Sequence, residues 1–219
     1  MRLNLVPISP LVYTPNPYWE ERHRIVGYWF AEEPVGWQPP AGPQAFLESG
    51  EPPVVVSLGA LSLGGGDALE TASLFMEAFQ QVGVRAIIQG WESELQQLAL
   101  PPNVYAAGSM AHSWLLSRAA GIVHHGGFGT TSAGLRAGIP ALVIPHIADQ
   151  FYWAQRVHEL GVGPQPVRRT KLDVQGLADS LYELVNNADL RAAAYTLGDQ
   201  IRSENGVENA VRLIEETFL

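Results

Sequence analysis

The sequence contains no cysteine and no long uninterrupted apolar segment. The first absence excludes a disulfide framework and a metal site built on thiolates. The second excludes a membrane-spanning helix of the usual length, and Pro7 and Pro10 interrupt the only apolar stretch that could serve as a secretory signal. We therefore expect a soluble, cytoplasmic protein.

Positive charge is also scarce, because 13 lysines and arginines face 22 aspartates and glutamates and give a net charge of −9. This balance argues against a nucleic-acid partner. A P-loop is excluded, since the sequence contains no Gly-Lys-Ser/Thr. The chain nevertheless has 219 residues, 47% of them hydrophobic, which is enough for a substantial core. An anionic ligand would have to be held by local geometry.

Residues 1–50 differ in composition from the rest, since prolines and aromatic residues are concentrated there. This pattern predicts an extended segment, with one short strand within HRIVGYWF (23–30), that packs against another part of the protein.

From Pro53 onward, predicted strands alternate with helices. The strands are PVVVSL (53–58), VRAII (84–88), NVYAA (103–107), GIVHH (121–125) and PALVIP (140–145). Helical patterns cover ALETASLFMEAFQQVG (68–83) and QFYWAQRVHEL (150–160). Asp67 and Glu70 form a capping box for the first of these helices, and Asp149 caps the second. Helical periodicity then runs through DVQGLADSLYELVNN (173–187) and on to GVENAVRLIEETF (206–218). The chain is predicted to be an α/β protein with a Rossmann-like open parallel sheet and helices on both faces, whose ligands bind at the carboxyl ends of the strands.

The segment IVHHGGFGTT (122–131) has the composition of an anion site. A strand runs into glycines, and Thr130, Thr131 and Ser132 are predicted to open the helix TTSAGLRAG, so that backbone N–H groups, hydroxyls and the positive helix end face one point. Strand residues alternate, so only one of His124 and His125 should reach the ligand, and we predict His125. The spacing alone leaves open an ordinary strand-to-helix turn that binds nothing.

A metal site is a weaker alternative for the same region. It would combine the side chains of His124, His125, His112 and His146. Adjacent histidines on a strand diverge, and no cluster of acidic ligands accompanies them, so we expect no metal site.

The stretch from Ser109 to Val162, in which HHGGFGTT is followed by Asp149-Gln150, resembles the signature of family 1 glycosyltransferases with the GT-B fold. It is most similar to sterol 3-beta-glucosyltransferases and their bacterial relatives, and the resemblance extends from NPYWEERHRIVGYWF through IIQGW to IRSENGVENAV. It implies the carboxy-terminal, donor-binding half of an inverting UDP-glycosyltransferase. Such an enzyme moves a hexose from a UDP- or TDP-sugar to a hydroxyl of a lipophilic acceptor, such as a sterol, a terpenoid or a polyketide-like compound.

The resemblance also implies roles for individual residues. The donor diphosphate would contact His125, Gly126, Gly127, Gly129, Thr130 and Gly59. The donor sugar would contact Asp149 and Gln150, and the nucleoside would contact His112, Met110 and Trp91, with Gln89 nearby. Two positions depart from many relatives, which have serine at Ala60 and, in plants, glutamate at Ala133. No Asp-x-Asp occurs, so we expect a metal-independent enzyme without a cofactor.

A GT-B enzyme has two domains, and the resemblance covers one of them. Residues 51–219 are predicted to be the nucleotide-sugar donor domain, and residues 1–50 the linker and tail of an acceptor domain that is missing here. The catalytic base is expected on that missing domain, so the isolated chain should bind the donor without transferring sugar. Trp19, Tyr28 and Trp29 are predicted to lie on an exposed interdomain face through which the chain could self-associate.

Two other functions remain open from the sequence. The chain could be a non-catalytic nucleotide-sugar-binding module or one half of a split enzyme. It could also be a UDP-sugar epimerase or hydrolase of the same fold, which would need carboxylates in the cleft. Asp149 is the only acid expected near the strand ends.

Overall fold

A computed structural model describes residues 2–31, 33–59 and 68–219. Its centre is a five-stranded parallel sheet, which confirms the predicted architecture. The strands lie in the order β5 (Val104–Ala107), β4 (Ala86–Gln89), β3 (Val54–Ser57), β6 (Gly121–His124) and β7 (Ala141–Val143). The chain runs outward from β3 to β5 and then returns to the other side of β3, so the strand order reverses between β3 and β6. Ligands of such sheets bind at this switch point.

Helices cover both faces of the sheet. They are α1 (Ala41–Glu48), α2 (Ala68–Val82), α3 (Glu92–Leu95), α4 (His112–Leu116), α5 (Phe128–Ala137), α6 (Gln150–Glu159), α7 (Val174–Asn186), α8 (Ala188–Arg202) and α9 (Gly206–Phe218), with a 3₁₀ turn at Arg169–Lys171. All five predicted strands of the sheet are present, and α2, α6, α7 and α9 lie where helices were predicted. Helix α1 was missed, because Pro40 and Pro43 made this stretch resemble a loop.

The two faces of the sheet carry separate apolar clusters. Helix α2 packs on one face together with α7 and fully buries Phe75 and Phe79, which lie one turn apart on the same side of the helix. Helices α4, α5 and α8 cover the opposite face, where Leu115 and Leu116 are fully buried. The strands are apolar on both sides for this reason.

The amino-terminal segment packs against the sheet domain, as predicted, but has more regular structure than expected. β1 (Asn4–Val6), which was not predicted, pairs in parallel with β2 (His23–Ile25). The hydroxyl of Ser9 donates to the carboxylate of Glu204 at 2.5 Å, and Trp29 Nε1 donates to the carbonyl of Gly206 at 3.1 Å. These bonds join the two ends of the chain.

Tyr28 is not on an exposed face, contrary to the prediction. It is 5% exposed, and its ring packs against Phe30 and Phe128. Its burial raises the pKa of the phenol above the ordinary value. Trp29, by contrast, is 47% exposed, and Trp19 is partly buried.

Helix α9 exposes an apolar row. Val207, Val211, Ile214 and Phe218 are each about half exposed and follow one another at helical spacing. Within the described ranges, no helix is long and apolar enough to cross a membrane. Ala60 and the predicted cap Asp67 fall on residues 60–67, which lie outside the described residues.

Candidate functional site

The carboxyl ends of β3 and β6 enclose His125. Ser57 and His124 are paired across these strands, so the residues that follow them meet at the switch point. The imidazole of His125 lies between two glycines: a Cβ added at Gly59 would come within 2.8 Å of its Cε1, and one added at Gly127 within 2.5 Å of its Nε2. Both glycines are therefore needed to make room for the ring. The structure brings these three predicted residues together.

Helix α5 begins at Phe128, with Gly127 as its N-cap, two residues earlier than predicted. Its first turn presents the N–H groups of Phe128, Gly129 and Thr130, which have no carbonyl partner within the helix. Because the helix begins earlier, the prediction that Thr130, Thr131 and Ser132 together open it is wrong. Thr131 Oγ1 and Ser132 Oγ donate back to helix carbonyls at 2.9 Å and are buried, so Thr130 is the only one of the three hydroxyl residues in the first turn.

The two adjacent histidines diverge, as the strand alternation predicts. His124 is fully buried, and its Nδ1 accepts the backbone N–H of Gly126 at 3.0 Å. Burial, with smaller contributions from nearby His125 and His112, lowers the pKa of His124 to about 3. Gly126 has φ +90°, and a Cβ there would lie 2.9 Å from the carbonyl oxygen of Gln150, so this turn requires glycine.

A cavity of about 420 Å³ opens beside this crevice, above the ends of β3 and β4. It is lined by Val56, Ser57, Leu58, Gly59, Gln89, Gly90, Trp91, Glu92, Ser109 and His112. Its size suits a small ligand such as a nucleoside, and none of the described lining residues is a lysine or an arginine. His112 begins α4, and burial lowers the pKa of its imidazole. Met110 packs against the core and is not among the lining residues.

Trp91 lines the cavity, so its contact with the nucleoside stays a prediction, but little of its surface is exposed. Its indole is 3% exposed and contacts the ring of Phe75, with 5.5 Å between ring centroids. The large apolar side chain is placed in the core, where its burial stabilises the fold. Its backbone is in the left-handed region at φ 59°, which is rare for a bulky residue.

The Asp149–Gln150 pair follows β7 at the same edge of the sheet. Asp149 does not cap α6 with its side chain as predicted: its backbone is already helical, and its Oδ2 accepts the indole N–H of Trp153 at 3.0 Å. Gln150 is 5% exposed, and its Oε1 accepts the backbone N–H groups of His146 at 2.8 Å and Ile147 at 3.1 Å. The amide oxygen of Gln150 therefore holds the loop that carries Asp149.

His146 lies next to His125, with 6.4 Å between their ring centroids. Burial, with the electrostatic effects of Arg169 and His125, lowers the pKa of His146 to about 4. In the parts of the chain that the structure describes, no three metal-binding side chains come together. Glu92 also borders the cavity, so Asp149 is not the only acid at the strand ends. Glu92, which begins the short helix α3 immediately after Trp91, was not predicted as a site residue.

Residues 73–216 match the family described as "Erythromycin biosynthesis protein CIII-like, C-terminal domain". The chain is 35% identical over 215 residues to an O-mycaminosyltylonolide 6-deoxyallosyltransferase of Streptomyces fradiae. This alignment covers 98% of the chain and 50% of the relative. It is also 35% identical over 230 residues to a sterol 3-beta-glucosyltransferase of Aspergillus terreus, and that alignment covers 98% of the chain and 16% of the relative. The chain thus spans half or less of the length of these relatives.

The structure of the spinosyn rhamnosyltransferase SpnG complexed with thymidine diphosphate superposes with a TM-score of 0.76 at 25% identity, over 97% of this chain and 56% of SpnG. The sequence comparison and the fold comparison agree. The chain belongs to the erythromycin biosynthesis protein CIII-like C-terminal domain family of GT-B glycosyltransferases.

Proposed function

We propose that the chain binds the nucleotide-sugar donor of an inverting, metal-independent glycosyltransferase, and that its donor is a UDP- or TDP-hexose. The observation that supports this most directly is the position of His125, held between two glycines beside the N-terminus of α5. Exposed N–H groups and the helix dipole attract a diphosphate there without any lysine or arginine. The thymidine diphosphate in the SpnG structure supports the same ligand class.

The diphosphate would lie across the crevice, with the nucleoside on one side and the sugar on the other. The nucleoside fits the cavity that Gln89 and His112 border. The sugar would then extend toward Asp149, whose carboxylate is suited to accepting hydrogen bonds from sugar hydroxyls. During transfer the departing diphosphate gains negative charge, and the N-terminus of α5 with His125 would stabilise that charge. This gives the site a role in the reaction as well as in binding.

The acceptor hydroxyl would be deprotonated by a residue of an amino-terminal domain, which would also bind a lipophilic acceptor. Two observations support such a partner: the relatives are about twice as long as the chain or longer, and Trp29 and the apolar row of α9 are exposed. The isolated chain is then expected to bind the donor without transferring sugar.

The isolated chain would also self-associate through α9. The double variant Val211→Glu with Ile214→Glu should reduce its sedimentation coefficient to that of a monomer.

Calorimetry tests the proposal. UDP or TDP should bind at least about 10-fold more tightly than uridine or thymidine, because the diphosphate makes the main contacts. Equal affinity for the nucleotide and the nucleoside would contradict the proposal. Asp149→Ala should weaken binding of UDP-glucose and leave that of UDP within a factor of two.

A second candidate function follows from Glu92, a carboxylate at the edge of the cavity. A hydrolase of this fold would release glucose from UDP-glucose without an acceptor, and Glu92→Gln would abolish that release. Incubation of the chain with UDP-glucose alone separates the two functions. If only intact UDP-glucose is recovered, the donor-binding function is favoured.

A further inference from the structure

The buried histidine of the site, His124, has a fixed protonation pattern. A backbone N–H can only donate, so the 3.0 Å contact from Gly126 N requires an unprotonated Nδ1. A neutral imidazole must then carry its proton on Nε2. That Nε2 is buried and has no hydrogen-bond partner among the described residues. A second proton would have to go onto Nδ1, where it would break the bond to Gly126.

The bond from Gly126 acts at the point where the chain turns from β6 into α5. Gly126 is confined from the other side by Val143 and the carbonyl of Gln150, each 2.9 Å from where a Cβ would lie. The Nδ1 of His124 is the polar atom that accepts the Gly126 N–H in this enclosed turn. Gly127, the next residue, is the N-cap of α5. The direction of the Gly126 peptide therefore affects the N–H groups that follow it.

We propose that His124 is a positioning residue: its Nδ1 holds the Gly126 N–H inward and thereby aims the first N–H groups of α5 at the donor diphosphate. This inference rests on the proposed function. His124 does not touch the ligand. It contributes one hydrogen-bond acceptor, Nδ1, for the N–H of Gly126. The Nε2–H takes no part in this positioning.

Two substitutions separate the two ring nitrogens. In His124→Asn the side-chain oxygen is the same number of bonds from Cα as Nδ1, whereas in His124→Gln it is the same number as Nε2. We expect the Asn variant to keep the UDP affinity within about threefold and the Gln variant to lose about 10-fold or more. Uridine should bind both variants as it binds the wild type, because the cavity for the nucleoside does not include His124.

Equal UDP affinities in the two variants, or a loss confined to the Asn variant, would overturn the inference. Urea unfolding of each variant shows whether a loss of affinity reflects loss of the fold. A readout without ligand keeps the inference separate from the proposed function. Long-range ¹H–¹⁵N spectra of the wild-type chain should show His124 with its proton on Nε2, and the Gly126 amide should be protected from hydrogen exchange. A proton on Nδ1 would refute the inference even if UDP binds, and the expected spectrum would support the hydrogen bond even if UDP does not.

Discussion

Replacing Gly127 by alanine should move His125 without straining the backbone. Gly127 has φ −63° and ψ 141°, values that alanine adopts readily. The new Cβ would lie 2.5 Å from Nε2 of His125, whereas an ordinary contact needs at least 3.4 Å. The ring must shift by about 1 Å.

The size of the effect follows from the hydrogen bond that His125 is proposed to make. A shift of about 1 Å takes a donor from hydrogen-bond distance to beyond it. A hydrogen bond to a charged group contributes about 1.5–3 kcal/mol. Gly127→Ala should therefore weaken UDP binding by about 10- to 100-fold and leave uridine binding unchanged.

Calorimetry on four proteins tests this reasoning: the wild type, Gly127→Ala, His125→Ala and the double variant. If Gly127→Ala lowers the UDP affinity by displacing the ring of His125, it should lower that affinity little further in the His125→Ala background. Gly108→Ala is the matched control, because no atom lies within 4 Å of the Cβ it would add. Wild-type UDP affinity in Gly127→Ala, or additive losses in the double variant, would refute the argument.

Three further predictions concern strain, protonation and metal. Ala148, just before Asp149, has φ 51°, so Ala148→Gly should raise the free energy of unfolding by about 0.5–1 kcal/mol in urea titrations, whereas Ala192→Gly within α8 should lower it by a similar amount. His124 has a pKa of about 3 in the folded chain and about 6.5 in the unfolded chain, so the unfolded chain binds more protons below pH 6.5. The free energy of unfolding should therefore fall by about 2 kcal/mol between pH 7 and pH 5 because of this residue. His124→Asn should lack this part of the pH dependence. EDTA should leave UDP affinity unchanged, and a large loss that magnesium or manganese restores would contradict the metal-independent site.

Several features of the site could be predicted from local patterns. The continuous apolar run at Val54–Ser57 is typical of a strand buried on both faces, and the structure confirms it. The divergence of His124 and His125 followed from strand alternation alone. All the roles given to individual residues as contacts of the donor diphosphate, sugar and nucleoside stay predictions.

The errors arose where a side chain had a choice of partners. Asp149 precedes a helix and could have capped it, but the indole of Trp153 one turn later provides a donor instead. Tyr28 was predicted to lie on an exposed face, and it is buried. Aromatic residues can lie in a core or at a binding surface, and their identity does not distinguish the two.

The sequence by itself determined the five strands of the sheet, several of the helices and the position of the glycine-rich turn after β6, because these depend on residues close together in the chain. The tertiary structure decided which atoms face the crevice. Only the packing of β3 against β6 places Gly59 beside His125, and only the approach of α6 confines Gly126. Hydrogen bonds and van der Waals contacts act over a few ångströms, so partners brought together by the fold cannot be assigned until the distances between them are known.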